Sequence, residues 1–456
     1  MSISSGSEAL SVRGRFTPRR YFAQRVVHPW ELPSIMTKHT YTGAMGNIWA
    51  VLISDIFFVH FGMQVGLTPF QWGIMGGISS WVIAAQCLSA LLTERTGKRK
   101  LIWFSFAVGD RALRLAGILV SLWLWRSGWP HAGAVLILAI VISNVLGNMA
   151  SPPWWSWLAD IIPEGEHGSF WGRRAAWIAL CVIAVVVPAG LLVDRVSADH
   201  KIKVTVGLFV FATVVGILDL VIHGTIPEPK MVVPKRNHFW LRVVEPIRDK
   251  AFRPWLTFNM CWTFSMTLGG ALATLYVLKD LGIGENFLGG TIVLTSFTLV
   301  GSLATGGWSG KLVDRVGVKR VLYWGQIGWA LLPGFWLFAT PATALWWLGA
   351  ASLTGGVAST AATTAANKLI TRVPPADGRA MYVAVSTSLG SLAGGLGVLA
   401  AGIVLRFFGE SRISAGWVSL GGFQVLFLAS VVLRLLFTLV LVPRIPYAPR
   451  DLNGKA

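Results

Sequence analysis

Residues 90–100 read ALLTERTGKRK, and residues 310–320 read GKLVDRVGVKR. In each stretch an acidic residue and an Arg stand three and two positions before a Gly, and basic residues follow. Both stretches connect long apolar segments and lie 220 positions apart. Such a repeat predicts one membrane bundle built twice, which is how many secondary transporters are constructed.

The composition indicates a membrane protein. Hydrophobic residues make up 54% of the chain and charged residues 13%, against about 25% charged residues in a soluble domain. Apolar segments of roughly the ~20 residues that cross a bilayer are predicted at 41–60, 70–93, 101–125, 132–151, 174–193, 204–224, 252–278, 285–308, 319–339, 343–366, 379–405 and 416–442. We therefore expect an all-α membrane protein with twelve transmembrane helices.

The formal net charge of +19 follows the expected topology. With the N-terminus inside, most Lys and Arg residues fall in cytoplasmic segments, as the positive-inside rule requires. The charge then indicates contact with membrane lipids and no binding of nucleic acid. We expect a basic cytoplasmic tail over 1–40, one half over 41–224, a charged Pro-rich linker over 225–251, a second half over 252–443 and a cytoplasmic tail over 444–456.

A second pair of loops supports the duplication. Residues 160–171 follow the fourth predicted span, and residues 372–382 follow the tenth. Both contain a Pro turn, an acidic residue and a Gly that opens the next helix. The copies run in the same direction, which predicts parallel repeats of six spans each.

These loops resemble those of the major facilitator superfamily, whose loop motif reads Gly-x-Leu-Ala-Asp-Arg-x-Gly-Arg-Arg. The first copy has Ala90 and Glu94 in place of Gly and Asp. The residues that match the motif in the two copies are Arg95, Gly97, Lys98, Arg99, Gly310, Asp314, Arg315, Gly317, Lys319 and Arg320. Residues 151–160 (SPPWWSWLAD) are similar to a poorly characterised bacterial branch of the family. The resemblance implies two six-helix bundles related by pseudo-two-fold symmetry.

The loop motif suggests a gate. Gly97 and Gly317 permit a tight turn where a Cβ would be costly. The resemblance implies that Glu94 and Asp314 each dock onto the fifth helix of their half in one state and release it in the other. An acid complements the partial positive charge of a helix N-terminus, and we expect these contacts to stabilise the outward-open state. The alternative is that the loop residues only determine topology.

Polar groups inside spans point to the solute path, because they are costly in a bilayer. Asp55 is the leading candidate for binding H⁺, Na⁺ or a cationic group; alternatively, it is hydrated or structurally paired. The resemblance implies that spans one, four, seven and ten line the cavity, which adds Asn144, Asn148 and Asn259 as candidate solute ligands. The alternative for these amides is hydrogen bonding between helices.

Further charges lie in spans three, six and twelve, which the resemblance places outside the central cavity. They are Asp110, Arg111, Arg114, Asp219 and Arg434. We expect structural ion pairs, with Arg111 or Arg114 as partners of Asp110 or Asp219. The alternative is an anion site, since Arg binds carboxylate or phosphate with two parallel hydrogen bonds.

The leading function is secondary active transport of a small solute by alternating access, coupled to H⁺ or, as an alternative, to Na⁺. The sequence contains no Gly-x-x-x-x-Gly-Lys-Ser/Thr loop and no His-Glu-x-x-His motif, so we expect neither an ATP motor nor a zinc enzyme, and no cofactor or metal. We expect a monomer in a bacterial inner membrane. Two rival functions are a lipid or drug exporter, favoured by the Trp-rich spans, and a non-transporting sensor that signals through the basic tail.

Overall fold

The computed structural model of the chain describes residues 21–161, 167–230, 239–283, 288, 290, 292–373, 379–408, 411, 413–415 and 418–446. In this part, regular structure is helical except for one hairpin, in which β1 (Ile413–Ala415) pairs antiparallel with β2 (Val418–Leu420). A nearly all-helical architecture suits a bilayer because helices satisfy their own backbone hydrogen bonds.

The first half of the chain forms a series of helices joined by short turns. They are α1 (Leu32–Leu52), α2 (Asp55–Gln64), α3 (Pro69–Trp81), α4 (Ala85–Thr96), α5 (Arg99–Arg126), α6 (Ala132–Ala159), α7 (His167–Asp194) and α8 (Ala198–His223). The region predicted as a linker contains one further helix, α9 (Phe239–Arg248).

The second half follows the same plan. Its helices are α10 (Arg253–Gly270), α11 (Ala273–Lys279), α12 (Phe297–Val316), α13 (Val318–Ala330), α14 (Leu332–Leu337), α15 (Ala344–Arg372), α16 (Arg379–Phe408) and α17 (Gly422–Leu441). A single π-helical turn, Ile292–Ser296, precedes α12.

Seven helical stretches of the described residues are long and apolar enough to cross a membrane. They are Pro29–Gln64, Ala132–Leu158, Trp177–Asp194, Ala198–His223, Arg253–Lys279, Tyr382–Phe408 and Gly422–Arg444. They coincide with predicted spans one, four to seven, eleven and twelve. The described residues at the other five predicted positions are mostly helical too, and some of these helices carry charged side chains. Helix α5, for example, carries Asp110, Arg111 and Arg114.

The first predicted span is not one continuous helix. It is interrupted after α1, where Ser54 takes an extended conformation with φ −127° and ψ −164°. Asp55 is therefore the first residue of α2 rather than part of a helix interior. The Asp55 side chain lies outside the described part of the structure.

Glycines with positive φ mark the ends of the bundle. Gly97 (φ 65°) and Gly317 (φ 98°) turn the chain between α4 and α5 and between α12 and α13. Gly66, Gly128 and Gly282 also have positive φ, and they lie in turns at the other end of the helices. We call the end with Gly97 and Gly317 the motif end and the other the opposite end.

Residues 21–31, the N-terminal strap, are docked at the motif end instead of forming part of a free tail. The backbone of Gln24 pairs with that of Glu228, and the Arg25 N–H donates to the Glu228 carbonyl at 2.9 Å. The Tyr21 hydroxyl donates to the carbonyl of Val221 at 2.8 Å. Burial raises the pKa of Tyr21 to about 12, so this donor keeps its proton at neutral pH.

The apolar core is shared by both halves at the opposite end and divided at the motif end. One cluster joins Phe57 of α2 to Tyr276 of α11 and Phe427 of α17. Towards the motif end, a cluster that includes Trp255 contains second-half residues. A separate cluster around Trp157 contains first-half residues.

Candidate functional site

Two ion pairs lie in the middle of the first half. Arg111 of α5 donates from Nη2 to Oδ2 of Asp219 of α8 at 2.8 Å. Arg114, one turn further along α5, lies 3.3 Å from Oδ1 of Asp110, which also accepts a hydrogen bond from Ser143. All four charged side chains are buried, and they are the partners expected from the sequence. Removing one member would leave a buried charge uncompensated.

The two asparagines of α6 extend this network to neighbouring helices. Nη2 of Arg114 donates to Oδ1 of Asn144 at 2.5 Å, and Nδ2 of Asn144 donates to Ser79 Oγ of α3 at 2.8 Å. Asn148 donates to the Asn144 carbonyl at 2.9 Å and accepts from Gln86 of α4 at 3.1 Å. Both amides are therefore engaged between helices, the alternative interpretation of the sequence.

Two glycines make room for the carboxylates. A Cβ added at Gly46 of α1 would lie 2.9 Å from Oδ2 of Asp219. One added at Gly147 of α6 would lie 2.8 Å from Oδ2 of Asp110. Backbone of α1 and α6 thus approaches the charged groups more closely than any other residue would allow.

Trp49 of α1 lies against the guanidinium groups. Its ring centroid is 4.8 Å from Cζ of Arg111 and 5.6 Å from Cζ of Arg114. Such contacts contribute about 2 kcal/mol or more when desolvated. Among the described residues, the indole Nε1 of Trp49 and Nη1 of Arg111 are buried without a hydrogen-bond acceptor. Two N–H donors beside the ion pair are thus unsatisfied.

A histidine follows the ion pair towards the motif end, one turn beyond Asp219 on α8. Trp154 Nε1 donates to Nε2 of His223 at 3.1 Å. Nε2 is therefore the acceptor, and the protonated Nδ1 donates to Thr42 Oγ1 at 2.8 Å. His39 lies beside it, with ring centroids 5.0 Å apart, and accepts from Arg174 Nε at 3.0 Å. These contacts hold His223 as a neutral imidazole of one tautomer.

These side chains surround a cavity of about 300 Å³ inside the first half. Helices α1, α5, α6, α7 and α8 contribute to its wall. The residues that line it are Thr42, Gly43, Gly46, Asn47, Trp49, Trp103, Ala107, Asp110, Arg111, Gly147, Ala150, Ser151, Trp154, Trp155, Arg174, Asp219, Leu220 and His223. We call it the N-half cavity.

The other predicted ligands are not gathered there. Asn259 of α10 donates from Nδ2 to the carbonyl of Ser386 of α16 at 2.9 Å, in the second half. Asp55 begins α2, towards the opposite end, and its side chain is outside the described residues. The predicted set Asp55, Asn144, Asn148 and Asn259 therefore does not form one described site.

The loop motif of the first half is anchored by buried charges. Arg99, 1% exposed, donates from Nη1 to Oδ2 of Asp160 at 2.5 Å. Its backbone N–H donates to Oε1 of Glu228 at 2.9 Å. Gln24 of the N-terminal strap donates to the same Glu228 oxygen at 3.1 Å and to the Gly97 carbonyl at 2.6 Å. The motif loop, the strap and the segment after α8 are thus held together.

The other motif residues are located but less constrained. Arg95, Lys98 and Arg315 are exposed. Gly310 and Asp314 lie on α12, and Glu94 lies on α4. The side chains of Glu94 and Asp314 are outside the described part, so the docking expected of them stays a prediction.

The second half contains a cavity of about 330 Å³, the C-half cavity, with different chemistry. Arg434 of α17 is its buried charge. Nη1 donates to the Trp329 carbonyl at 3.3 Å, and Nη2 donates to the Met266 carbonyl at 3.1 Å. Its guanidinium lies 5.7 Å from the ring of Trp262. Both Arg434 Nη groups therefore have protein acceptors, unlike Nη1 of Arg111.

Sequence reasoning missed several members of the N-half cavity. His223 and Trp49 stand alone in apolar segments and carry no spacing signal. Glu228, which anchors the neighbouring loop, lies in the run Ile226-Pro-Glu-Pro-Lys230, which reads as a linker. The sequence did contain a signal for Glu228: it is the first acidic residue after α8, and the motif loop at the same end of the bundle is strongly basic.

Comparison with solved structures identifies the fold. The chain is similar to a mutant of the nucleoside transporter NupG, with a TM-score of 0.66 and 11% identity over 90% of this chain and 100% of that one. It is similar to a bacterial homolog of the human lysosomal transporter Spinster, with a TM-score of 0.64, 14% identity and 93% and 100% coverage. It is also similar to a D-xylose-proton symporter, with a TM-score of 0.62 and 17% identity over 92% of this chain and 99% of that one. The fold is that of membrane transporters.

The sequence of the second half matches a family model. Residues 254–456 match the family model described as Major Facilitator Superfamily. No curated protein sequence matches the chain significantly. The similarity to transporter structures extends over both halves of the chain, and the matching family is the one that the loop motifs led us to expect.

Proposed function

We propose that the chain is a secondary active transporter, and not an enzyme, that moves a small solute by alternating access between two six-helix halves. It would be a monomer in a bacterial inner membrane, with twelve spans and both termini in the cytoplasm. The transport fold supports this proposal, and the neighbouring D-xylose-proton symporter supports coupling to H⁺ rather than to Na⁺.

The division of the apolar core carries the proposal. Both halves share one core at the opposite end, while the described cores at the motif end are separate. In the part of the chain that the structure describes, the two halves therefore share an apolar core at one end only. With the motif end in the cytoplasm, as the positive-inside rule places it, this is the inward-open arrangement of an alternating-access cycle.

The contact between α3 and α16 supports a rocking motion. A Cβ added at Gly73 would lie 2.8 Å from Cα of Gly402. One turn further along α3 and two turns back along α16, a Cβ added at Gly395 would lie 2.8 Å from the Gly77 carbonyl oxygen. Helices that touch through small residues pack backbone against backbone. A rocking motion would also have to break or carry along the hydrogen bond from Trp81 Nε1 of α3 to the Leu392 carbonyl of α16, which is 3.1 Å long.

The opposite end is also joined by a polar contact. The backbone N–H of Leu288 donates to Oδ2 of Asp194, at the end of α7, at 2.8 Å. An outward-open state requires this contact to break. In that state, Glu94 and Asp314 would dock onto the fifth helix of each half and close the motif end.

The coupling proton requires a buried carboxylate that changes its protonation. Asp55 is one candidate from the sequence. The structure adds Asp219, which is buried, lines the N-half cavity and has an Arg partner 2.8 Å away. Protonation of Asp219 would free Arg111 to interact with the solute, which links the two bound species.

Flux in liposomes tests the proposal. The purified chain is reconstituted with a pH dye inside, and unlabelled solutes are added outside one class at a time. We expect one class to acidify the lumen, with no change when Na⁺ replaces K⁺. If no solute acidifies the lumen and a fluorescent lipid is moved across the bilayer, the lipid or drug exporter is favoured and the proposal is overturned.

Cysteine labelling tests the gate separately. Ser151→Cys, in a background in which Cys87, Cys181 and Cys261 are Ser, places a thiol in the N-half cavity. We expect Glu94→Gln to increase its labelling from the cytoplasmic side, because the outward-open state loses its docking contact. An unchanged labelling rate would show that Glu94 only determines topology.

A further inference from the structure

The N-half cavity has the size and wall of a ligand site. Its volume of about 300 Å³ is at the lower end of the range of ~300–1,000 Å³ found for small-molecule sites. Its wall combines four indole rings with a few charged and hydroxyl groups. This mixture holds a small ring against flat apolar faces while polar groups fix its orientation.

The charges of the described ion pairs cancel. Arg111 with Asp219 and Arg114 with Asp110 form two neutral pairs around the cavity. A ligand anion would meet the two carboxylates, and a ligand cation would meet the guanidinium groups. The remaining charged lining residue, Arg174, lies at the motif end, is partly exposed and donates to His39. An uncharged ligand avoids the cost of a third buried charge.

The unsatisfied groups are donors. Nη1 of Arg111, a residue 7% exposed, has no acceptor among the described residues. Nε1 of Trp49 is likewise buried without one. A buried donor without an acceptor is destabilising, and both residues line the cavity. Both nitrogens are covered by neighbouring protein atoms, so the oxygen atoms of a ligand would satisfy both N–H groups once the Arg111 and Trp49 side chains shift as the ligand enters.

We propose that the N-half cavity binds an uncharged ring solute that carries hydroxyl or carbonyl oxygens, of the size of a monosaccharide or a nucleoside. The ring lies against the indole faces, and its oxygens accept from Arg111 Nη1 and Trp49 Nε1. The proposal rests on the proposed transport function for its biological use, but binding is measurable without flux.

The C-half cavity provides an internal contrast. It is of similar volume and is also lined by Trp rings, Trp329 and Trp336. However, Nη1 and Nη2 of Arg434 already donate to backbone carbonyls. Its Nε is buried without an acceptor, as is Nη1 of Arg111, but among the described residues the C-half lining has no second such donor that corresponds to Trp49 Nε1. A variant that fills the C-half cavity therefore serves as a matched control.

The experiment is titration calorimetry on the purified full chain with solutes that share a skeleton and differ in charge. One set is D-glucose, D-glucuronate and D-glucosamine; another is uridine and uridine monophosphate. We expect an uncharged member of one set to bind at least tenfold more tightly than its charged relatives. The set that responds distinguishes a sugar from a nucleoside.

Cavity-filling variants locate the site. Ala150→Leu and Ala107→Leu fill the N-half cavity from α6 and α5, and Ala351→Leu fills the C-half cavity. We expect the first two to raise Kd at least tenfold and the third to leave it unchanged, with the thermal unfolding of each variant as a check of folding. Two N-half variants guard against one that fails to fold.

The other outcomes would each overturn one part of the proposal: the solute class, the location of the site or the transport function. Tighter binding of a charged relative, or silence from both sets, overturns the solute class. Binding that survives Ala150→Leu and Ala107→Leu but is lost in Ala351→Leu overturns the location. Binding without flux in liposomes refutes the transport function and leaves the site standing. Flux that Ala150→Leu does not change refutes the site and leaves the transport function standing.

Discussion

Replacing Asp219 by Asn removes the carboxylate that neutralises Arg111 inside the first half. The atoms Nη2 and Oδ2 are 2.8 Å apart, and each side chain is 9% exposed. Nη1 of the same guanidinium has no acceptor among the described residues, so Asp219→Asn leaves a buried cation with the Trp49 ring as its main compensation. Breaking a buried pair on one side costs roughly 3–5 kcal/mol.

The expected shift of Tm follows from the length of the chain. With 456 residues and the unfolding entropy typical of globular proteins, the total is about 1 kcal/mol/K. A loss of roughly 3–5 kcal/mol therefore lowers Tm by roughly 3–5 °C. The assay is tryptophan fluorescence during heating in one detergent, at one scan rate.

An exposed ion pair of similar chemistry is the control. Arg25 and Glu31 are 2.6 Å apart, with side chains 50% and 25% exposed, and such pairs contribute at most about 1 kcal/mol. Glu31→Gln should lower Tm by about 1 °C or less. The double variant Arg111→Gln/Asp219→Asn should recover part of the loss. Equal shifts for Asp219→Asn and Glu31→Gln, or strict additivity in the double variant, would refute the reasoning.

Three further predictions concern other contacts. Glu228→Gln weakens the anchor of the N-terminal strap by about 1.5–3 kcal/mol, and trypsin should cleave after Arg25 faster; an unchanged rate contradicts the anchor. Gly402→Ala pushes α16 away from α3 and should reduce the closed population at the opposite end, measured by spin-label distances. Gly207→Ala, whose added Cβ meets nothing within 4 Å, should not. Trp49→Leu removes the ring beside two buried guanidinium groups and should lower Tm more than Trp49→Phe, while equal shifts would argue against cation–π stabilisation.

The architecture followed from the sequence where local rules apply. Apolar runs of bilayer length marked the helices, and the glycines of the two motif loops marked turns that indeed have positive φ at Gly97 and Gly317. The pairing of Arg111 with Asp219 was predictable although the two lie 108 positions apart. A charge inside an apolar helix must find a partner, and the sequence offers few acids within spans.

The rest depends on contacts that no local pattern records. The interruption before Asp55 occurs at Ile53 and Ser54, which include neither Pro nor Gly. Gln24 and Glu228 meet across 204 positions, so neither the docked strap nor the anchored loop has a signature in its own segment. Asn144 accepts a hydrogen bond from Arg114 instead of facing an open path. The sequence could not distinguish the two roles, because an amide side chain can bind a solute or join two helices equally well.

The two halves differ in charge, and under the proposed transport function this difference predicts a separate role for each. In the second half, Arg434 donates to backbone carbonyls. These acceptors do not titrate, so they hold the guanidinium at any pH. In the first half, Arg111 is held by Asp219, a group that loses its charge when it binds a proton. In the described part of the chain, the Arg111–Asp219 pair is thus an arrangement in which a bound proton would change the hydrogen-bond donors available to a solute. The first half would therefore couple proton and solute, while the second half would provide the surface against which it rocks.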